Sequence, residues 1–351
     1  MTWRDSLLWP FALPYAAVAH LRARAYRKGI LKQHRLPGVV VSVGNLTAGG
    51  TGKTPMVLWI AGRLLAEGKS VGILTRGYRG KEMAPDADLP ASDSSTSDEV
   101  QLLKSRLGER VAFGIGANRF TRGQALARRG VEWFVLDDGF QHMQLARDVD
   151  IVLVDATNPF GGGRVLPAGR LREPRTALAR ADVIVITRSL RAPAVEAAIQ
   201  RDSDAPVFYA RTVLDSAAAP FHPHLTEQDA RSRRLFAFCG IGNPAAFIAD
   251  LRDWGFQIAG HRFFPDHHRY SARDIAEIER QARAAGAEGV ICTEKDSFNY
   301  HGLWRSMDLW VCTISLQIDR PEDFWRAVLA AVDWHQKARG PATVGDATPR
   351  R

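Results

Sequence analysis

Cysteine is scarce in this 351-residue chain, which holds only Cys239, Cys292 and Cys312, widely spaced and odd in number. That usage argues against a disulfide framework or a zinc site and suits a reducing cytosol. A hydrophobic run long enough to cross a bilayer is also missing. A transmembrane helix needs about 20 apolar residues, and the stretch from Leu7 to Ala19 falls short. No heptad run or repeat of about 20–50 residues occurs, which removes coiled coils and solenoids. Negative charge is missing locally, with no acidic residue between Ser6 and Ala66. A guanine-reading Asn-Lys-x-Asp is not found either, which weakens a GTPase reading.

What is present begins with a formal net charge of +9, the mark of an anionic partner, whether nucleic acid, membrane or a phosphorylated small molecule. Part of that charge follows the apolar N-terminal run: Arg22, Arg24, Arg27, Lys28, Lys32 and Arg35. It is not interleaved with stacking aromatics, so a nucleic-acid partner is not expected. A secretory signal ending near Ala17-Val18-Ala19 is disfavoured, because Asp5 offsets Arg4 and an ATP-type loop follows soon after. Pro10 and Pro14 are expected to weaken the segment as a helix. Two readings stay open: a first helix packed on the core, or a segment lying on an anionic membrane surface with Trp3, Trp9 and Tyr15 at headgroup depth.

Short β-branched runs alternate with helical patterns, the signature of a parallel sheet covered on both faces. The predicted strands are Val39–Val43, Ser70–Leu74, Val111–Phe113, Glu132–Leu136, Asp150–Val154 and Val183–Thr187, with helices over Thr54–Glu67 and Glu99–Leu107. Met83 to Ser97 reads as an exposed loop. The class expected is α/β, a P-loop NTPase-like parallel-sheet domain with a second, smaller α/β domain. The boundaries drawn are 1–210 for the first and 211–318 for the second. A helix over 319–340 returns to the first domain, and 341–351 form a disordered tail. Val207–Val213 and Leu309–Ile318 are expected to pair as a two-stranded hinge.

The passage Gly44-Asn45-Leu46-Thr47-Ala48-Gly49-Gly50-Thr51-Gly52-Lys53-Thr54 lies between a predicted strand and a predicted helix. Glycines let backbone N–H groups turn toward phosphate oxygens, and the helix N-terminus adds its dipole. Thr47 to Thr54 are thus the candidate ATP-binding residues, with Lys53 on the phosphates and Thr54 on Mg²⁺. The extra lysine of partitioning-type ATPases would fall at Ala48 and is absent. Trp133-Phe134-Val135-Leu136-Asp137-Asp138 supplies a strand ending in acids, with Asp137 the candidate metal residue and Asp138 beside it for positioning. A membrane-associated P-loop ATPase or GTPase switch remains the alternative at this point.

These passages, with Thr75-Arg76-Gly77-Tyr78, Asp137-Asp138-Gly139-Phe140-Gln141-His142, Leu166 to Pro174, Phe264-Pro265-Asp266-His267-His268 and Thr293-Glu294-Lys295-Asp296, resemble the tetraacyldisaccharide 4′-kinases of lipid A biosynthesis. The resemblance implies ATP- and Mg²⁺-dependent phosphorylation of the 4′-hydroxyl of an acylated glucosamine disaccharide 1-phosphate. It also implies a peripheral place on the cytoplasmic face of the inner membrane; a monomer is expected. It makes Asp98 the base, His267 its support and Glu99 a metal residue, and places Arg76, Tyr78, Arg119, Gln141 and His142 near the substrate. Arg164, Arg170 and Arg172 would meet its 1-phosphate. The family's Gly-Asp-Glu-Pro reads here Ser97-Asp98-Glu99-Val100, which puts the flanking turn in question. From the residues alone, Asp98 and Glu99 would serve equally as helix-capping acids. The Thr293–Asp296 motif is given no role.

Overall fold

The computed structural model describes residues 3–77, 97–300, 304 and 306–338. Tyr78, the expected Met83–Ser97 loop apart from Ser97, and the expected C-terminal tail lie outside them. The chain runs α1 (Trp3–Arg27), β1 (Val39–Asn45), α2 (Lys53–Ala66), β2 (Val71–Thr75), α3 (Asp98–Leu107), β3 (Val111–Ile115), α4 (Arg119–Arg128), β4 (Trp133–Asp137) and β5 (Val149–Asp155). It continues with β6 (Val183–Thr187), α5 (Pro193–Ile199), β7 (Val207–Ala218), α6 (Glu227–Ser232), β8 (Arg234–Cys239), α7 (Pro244–Asp253) and β9 (Gln257–Phe263). The last elements are α8 (Ala272–Ala284), β10 (Gly289–Thr293), α9 (Glu294–Ser297), β11 (Leu309–Ile318) and α10 (Pro321–Lys337).

One sheet of eleven strands carries everything, in the order β3-β2-β4-β1-β5-β6-β7-β11-β10-β8-β9. Its strands pair in parallel except β7 with β11, which run antiparallel from Ala210 opposite Ile318 to Ala218 opposite Val311. The central strands are unbroken apolar runs because both faces are covered: every residue of β5 is buried. On one face α2 and α10 pack Met56, Ile60, Leu64, Phe324 and Val328 against Val41, Val135 and Leu153. On the other, Leu46, Phe140, Val152, Leu178, Ile184 and Ile199 form a second layer. Beyond β11 the pattern repeats, with α7 on one face and α8 on the other.

The expected hinge pair is present, although β7 reaches five residues past Val213. The second α/β unit therefore extends the first unit's sheet and does not form a separate one. Helix α1 departs from expectation, running unbroken through Pro10 and Pro14. Both prolines are exposed and sit one turn apart on the same face, so their rings displace no packed neighbour. Ala12 and Ala23 are buried, but Phe11, Leu13, Val18 and Leu21 are each about 60% exposed. A helix packed on the core would bury those four.

Candidate active site

The loop between β1 and α2 is tied down by side chains at strand ends. Asn45 Nδ2 donates to the Thr47 carbonyl at 2.8 Å and to Thr51 Oγ1 at 2.9 Å. The Thr187 hydroxyl, at the end of β6, donates to the Thr51 carbonyl at 3.1 Å. Gly52 caps α2 at φ 87°, the left-handed region that a β-carbon disfavours, and no side chain occupies the helix end. Its free N–H groups are left for an anion. Gly49 to Thr54 line a cavity of about 370 Å³. The Lys53 ammonium rests 3.5 Å from Asn45 Oδ1 and 3.7 Å from Asp138. The Ala48 N–H donates to the Arg170 carbonyl at 2.7 Å, which seats the loop. Thr47 is likewise bridged to Leu171.

Asp137 and Asp138 lie across the cavity at the end of β4. Burial, then Glu99 and Asp138, push the Asp137 carboxyl up to about 6. For Asp138 burial acts in the same direction, but Lys53 and Arg172 outweigh it and lower the pKa. Arg172 Nη1 stands 2.7 Å from Asp138 Oδ2. Among the described residues no three acidic, histidine or cysteine side chains form a ready metal cage. Mg²⁺ does not need one, since it keeps waters and phosphate oxygens and takes one or two carboxylates from protein. The charge crowded onto Asp137 by Glu99 and Asp138 is what a dication would relieve, and Thr54 lines the same cavity.

Asp98 opens α3, but it is Ser97 whose hydroxyl caps the helix, accepting from the Val100 N–H at 3.3 Å. Asp98 is 4% exposed. Its Oδ1 meets His267 Nδ1 at 2.7 Å, and its Oδ2 has no partner among the described residues. Burial pushes the Asp98 carboxyl up, but the His267 hydrogen bond and the Lys295 charge outweigh it, and the pKa falls below the usual carboxylate range. The same hydrogen bond raises the His267 imidazole against its own burial. His267 sits at φ 60°, a conformation a non-glycine residue seldom adopts. This chain therefore holds an ionised carboxylate whose histidine partner lines the same cavity as the Gly49–Thr54 loop.

Residues 4–333 match the family model described as tetraacyldisaccharide-1-P 4′-kinase. The chain belongs to that family. Among its relatives, the tetraacyldisaccharide 4′-kinase of Pelobacter propionicus is 41% identical over 86% of this chain and 84% of its own length. The enzyme of the same name from Geobacter metallireducens is 41% identical over 83% of this chain and 87% of its own. A crystal structure of LpxK from Aquifex aeolicus in complex with ATP shares the fold, with a TM-score of 0.71 at 29% identity over 93% of this chain and 99% of that one.

Within this family member, several expected substrate residues have structural tasks. Arg119 is buried, donating to the Asp137 carbonyl at 3.1 Å, and does not line the cavity. Gln141 Nε2 donates to the Asn45 carbonyl at 3.0 Å, and its Oε1 lies 3.4 Å from Arg172. His142 is half-buried; burial, then Arg119 and Arg147, depress its pKa to about 4 and keep the ring neutral. Arg76 is exposed. Arg170 Nε donates to the Ala48 carbonyl at 3.0 Å and so helps seat the loop. Arg164 lines a separate cavity beside Leu13 and Ala16 of α1.

Two further residues that line the cavity, Arg188 and Asn243, are not among those the sequence singles out. Arg188 joins Asp155, at 3.1 Å, to Asp250 of α7, at 3.6 Å, and so ties the end of β5 to α7 beside the cavity. Asn243 Nδ2 reaches the same Asp155 at 3.3 Å. The Gly240–Asn243 turn after β8 was a legible glycine signal that went unassigned.

Proposed function

We propose that this chain transfers the γ-phosphoryl group of ATP to the 4′-hydroxyl of a tetraacyldisaccharide 1-phosphate. The observation that carries the reading is the free Oδ2 of Asp98, buried and held by His267 beside the phosphate loop. As the hydroxyl oxygen bonds to the γ-phosphorus and the bridging P–O bond of ATP breaks, the hydroxyl proton passes to Asp98 Oδ2 and ADP leaves. Lys53 neutralises charge on the phosphates, and the α2 N-terminus supplies aligned N–H groups. Thr54, Asp137 and Glu99 would hold Mg²⁺, which would supply positive charge to offset that of the phosphates. Arg172 keeps Asp138 ionised next to Lys53. The lowered Asp98 pKa suits a group that orients the hydroxyl and takes its proton late in the transfer.

The units 1–210 and 211–318, with 319–340 returning, are read as the two jaws of this site. The exposed apolar face of α1 is read as lying on the cytoplasmic face of the inner membrane, where the lipid acceptor is. No helix among the described residues is long and apolar enough to cross a membrane. Burying Phe11, Leu13, Val18 and Leu21 would gain about 1.5–3 kcal/mol each, and each nearby Arg or Lys about 1 kcal/mol on anionic lipid. An assay with labelled ATP and the disaccharide 1-phosphate in detergent micelles tests the function. Label on the lipid at the 4′ position is expected. ATP hydrolysis with no label on lipid would instead favour a P-loop switch.

A further inference from the structure

Thr293-Glu294-Lys295-Asp296 closes β10 and forms the single turn α9, and the reaction as written uses none of the four. Asp296 is 1% exposed. Its Oδ1 accepts from the Gly240 N–H at 2.8 Å and the Tyr270 hydroxyl at 2.6 Å, and its Oδ2 from the Thr293 hydroxyl at 2.5 Å. Gly240 in turn accepts from the His267 N–H at 3.1 Å. Two residues on, Gly242 lies so near the phosphate loop that a β-carbon on it would stand 2.7 Å from the Gly50 nitrogen. Asp296 thus joins the loop that carries His267 to the loop that covers Gly50.

The two residues before it face the other way. Glu294 grips Arg106 of α3 with both oxygens, at 2.9 Å from Nε and 2.9 Å from Nη2. Lys295 Nζ donates to Glu99 Oε1 at 2.9 Å. Glu99 and Arg106 stand about two turns apart on α3. Asp98 is therefore the first residue of a helix gripped near both ends by side chains of the far unit.

We propose that the Thr293–Asp296 turn is a positioning clamp for this reaction, holding α3 and the His267 loop in one frame so that Asp98 and His267 meet only when the two units are together. The proposal rests on the reading of Asp98 as the proton acceptor. Isolated, partly exposed ion pairs contribute little stability. A bidentate arginine–carboxylate pair does fix direction, and a misplacement of about 1 Å in a catalytic group costs on the order of 100-fold in rate.

The test uses full-length Lys295→Met and Arg106→Gln with ATP, Mg²⁺ and the micellar lipid acceptor. The expected result is a kcat about 10- to 100-fold lower with KM for ATP within about twofold, and recovery of most activity in Lys295→Arg. A second reading comes from the imidazole titration of His267, followed by NMR with ring-labelled histidine and assigned with His267→Gln. Removing a nearby positive charge raises that pKa through the field alone. A fall toward the ordinary imidazole value in both variants would therefore report a lost Asp98 contact and support the clamp. Normal turnover in both variants overturns it, as does lost turnover with an unmoved or raised His267 pKa. Normal turnover in Asp98→Ala, run alongside, would instead sink the underlying assignment of the base.

Discussion

The cavity-lining residues from Gly49 to Thr54, the proposed phosphate loop, come from one strand–loop–helix passage, whereas Asp98 and His267 are brought together across 169 positions. The loop's anchors, Asn45 of β1 and Thr187 of β6, stand on either side of β5 in the same unit. Asp98 is held by groups from the far unit: His267 directly, Lys295 and Glu294 through α3. A displacement of one unit against the other would leave the first construction whole and dismantle the second. Nucleotide binding should thus outlast phosphoryl transfer when the units are loosened.

The sharpest way to break the contrast is at Asp98. Asp98→Ala should lower kcat by about 10²–10⁴-fold while ATP affinity, read by calorimetry, stays near that of the parent. If Asp98 only steadied a helix end, the melting temperature would fall and turnover per folded molecule would survive. Lys53→Ala comes next, with a loss on the order of 10²–10³-fold and a native circular-dichroism spectrum. Near-normal turnover of that variant would reject the phosphate-loop assignment.

His267→Ala should cost less than Asp98→Ala, and the double variant much less than the product of the two losses, because the pair acts as a unit. Multiplicative losses would show two independent groups. The smallest effect concerns pH and stability. The His267 pKa is raised on folding, so its contribution is complete below the ordinary imidazole value of about 6.5 and vanishes as pH rises through the folded value. The Asp98 pKa is lowered, so its contribution is present above about 3.9 and is lost only as pH falls through the folded value. The gap in melting temperature between the parent and His267→Gln should be widest near pH 5–6 and narrow toward alkaline pH. A gap that widens with pH would contradict the pair.

How much could be read beforehand follows the same division. Strands β1, β4, β5 and β6 were visible because burial on both faces leaves unbroken apolar runs. Strand β9 went unread, since at the sheet's edge its residues are mostly half-buried or exposed and no run forms. Helix α4 was missed because only Arg119, Gly123 and Leu126 are buried, too few to set a period. The phosphate loop is legible because its chemistry is local. The clamp residues are not, because an ion pair between Lys295 and Glu99 leaves no trace in either neighbourhood. Asp98 and His267 stand out only through resemblance, and the burial of Arg119 is not legible because a buried arginine looks like any other in a basic sequence. The prolines of α1 misled for a related reason: their effect depends on what a helix packs against, which only the fold reveals.

Helix α10 has a consequence for how the molecule is made. Phe324, Trp325, Val328 and Val332 complete the layer over Met56, Ile60 and Leu64, and Trp325 donates to Glu67 at 2.5 Å. A chain emerging N-terminus first therefore produces the phosphate loop early but cannot seal the core beneath it until α10 has left the ribosome. At about 5–20 residues per second, the span from Ala218 to Leu309 alone imposes a wait on the order of 5–20 s. During that time an apolar face stays open to solvent, within reach of chaperones and of other nascent copies. The first unit to be synthesised is the last to be finished.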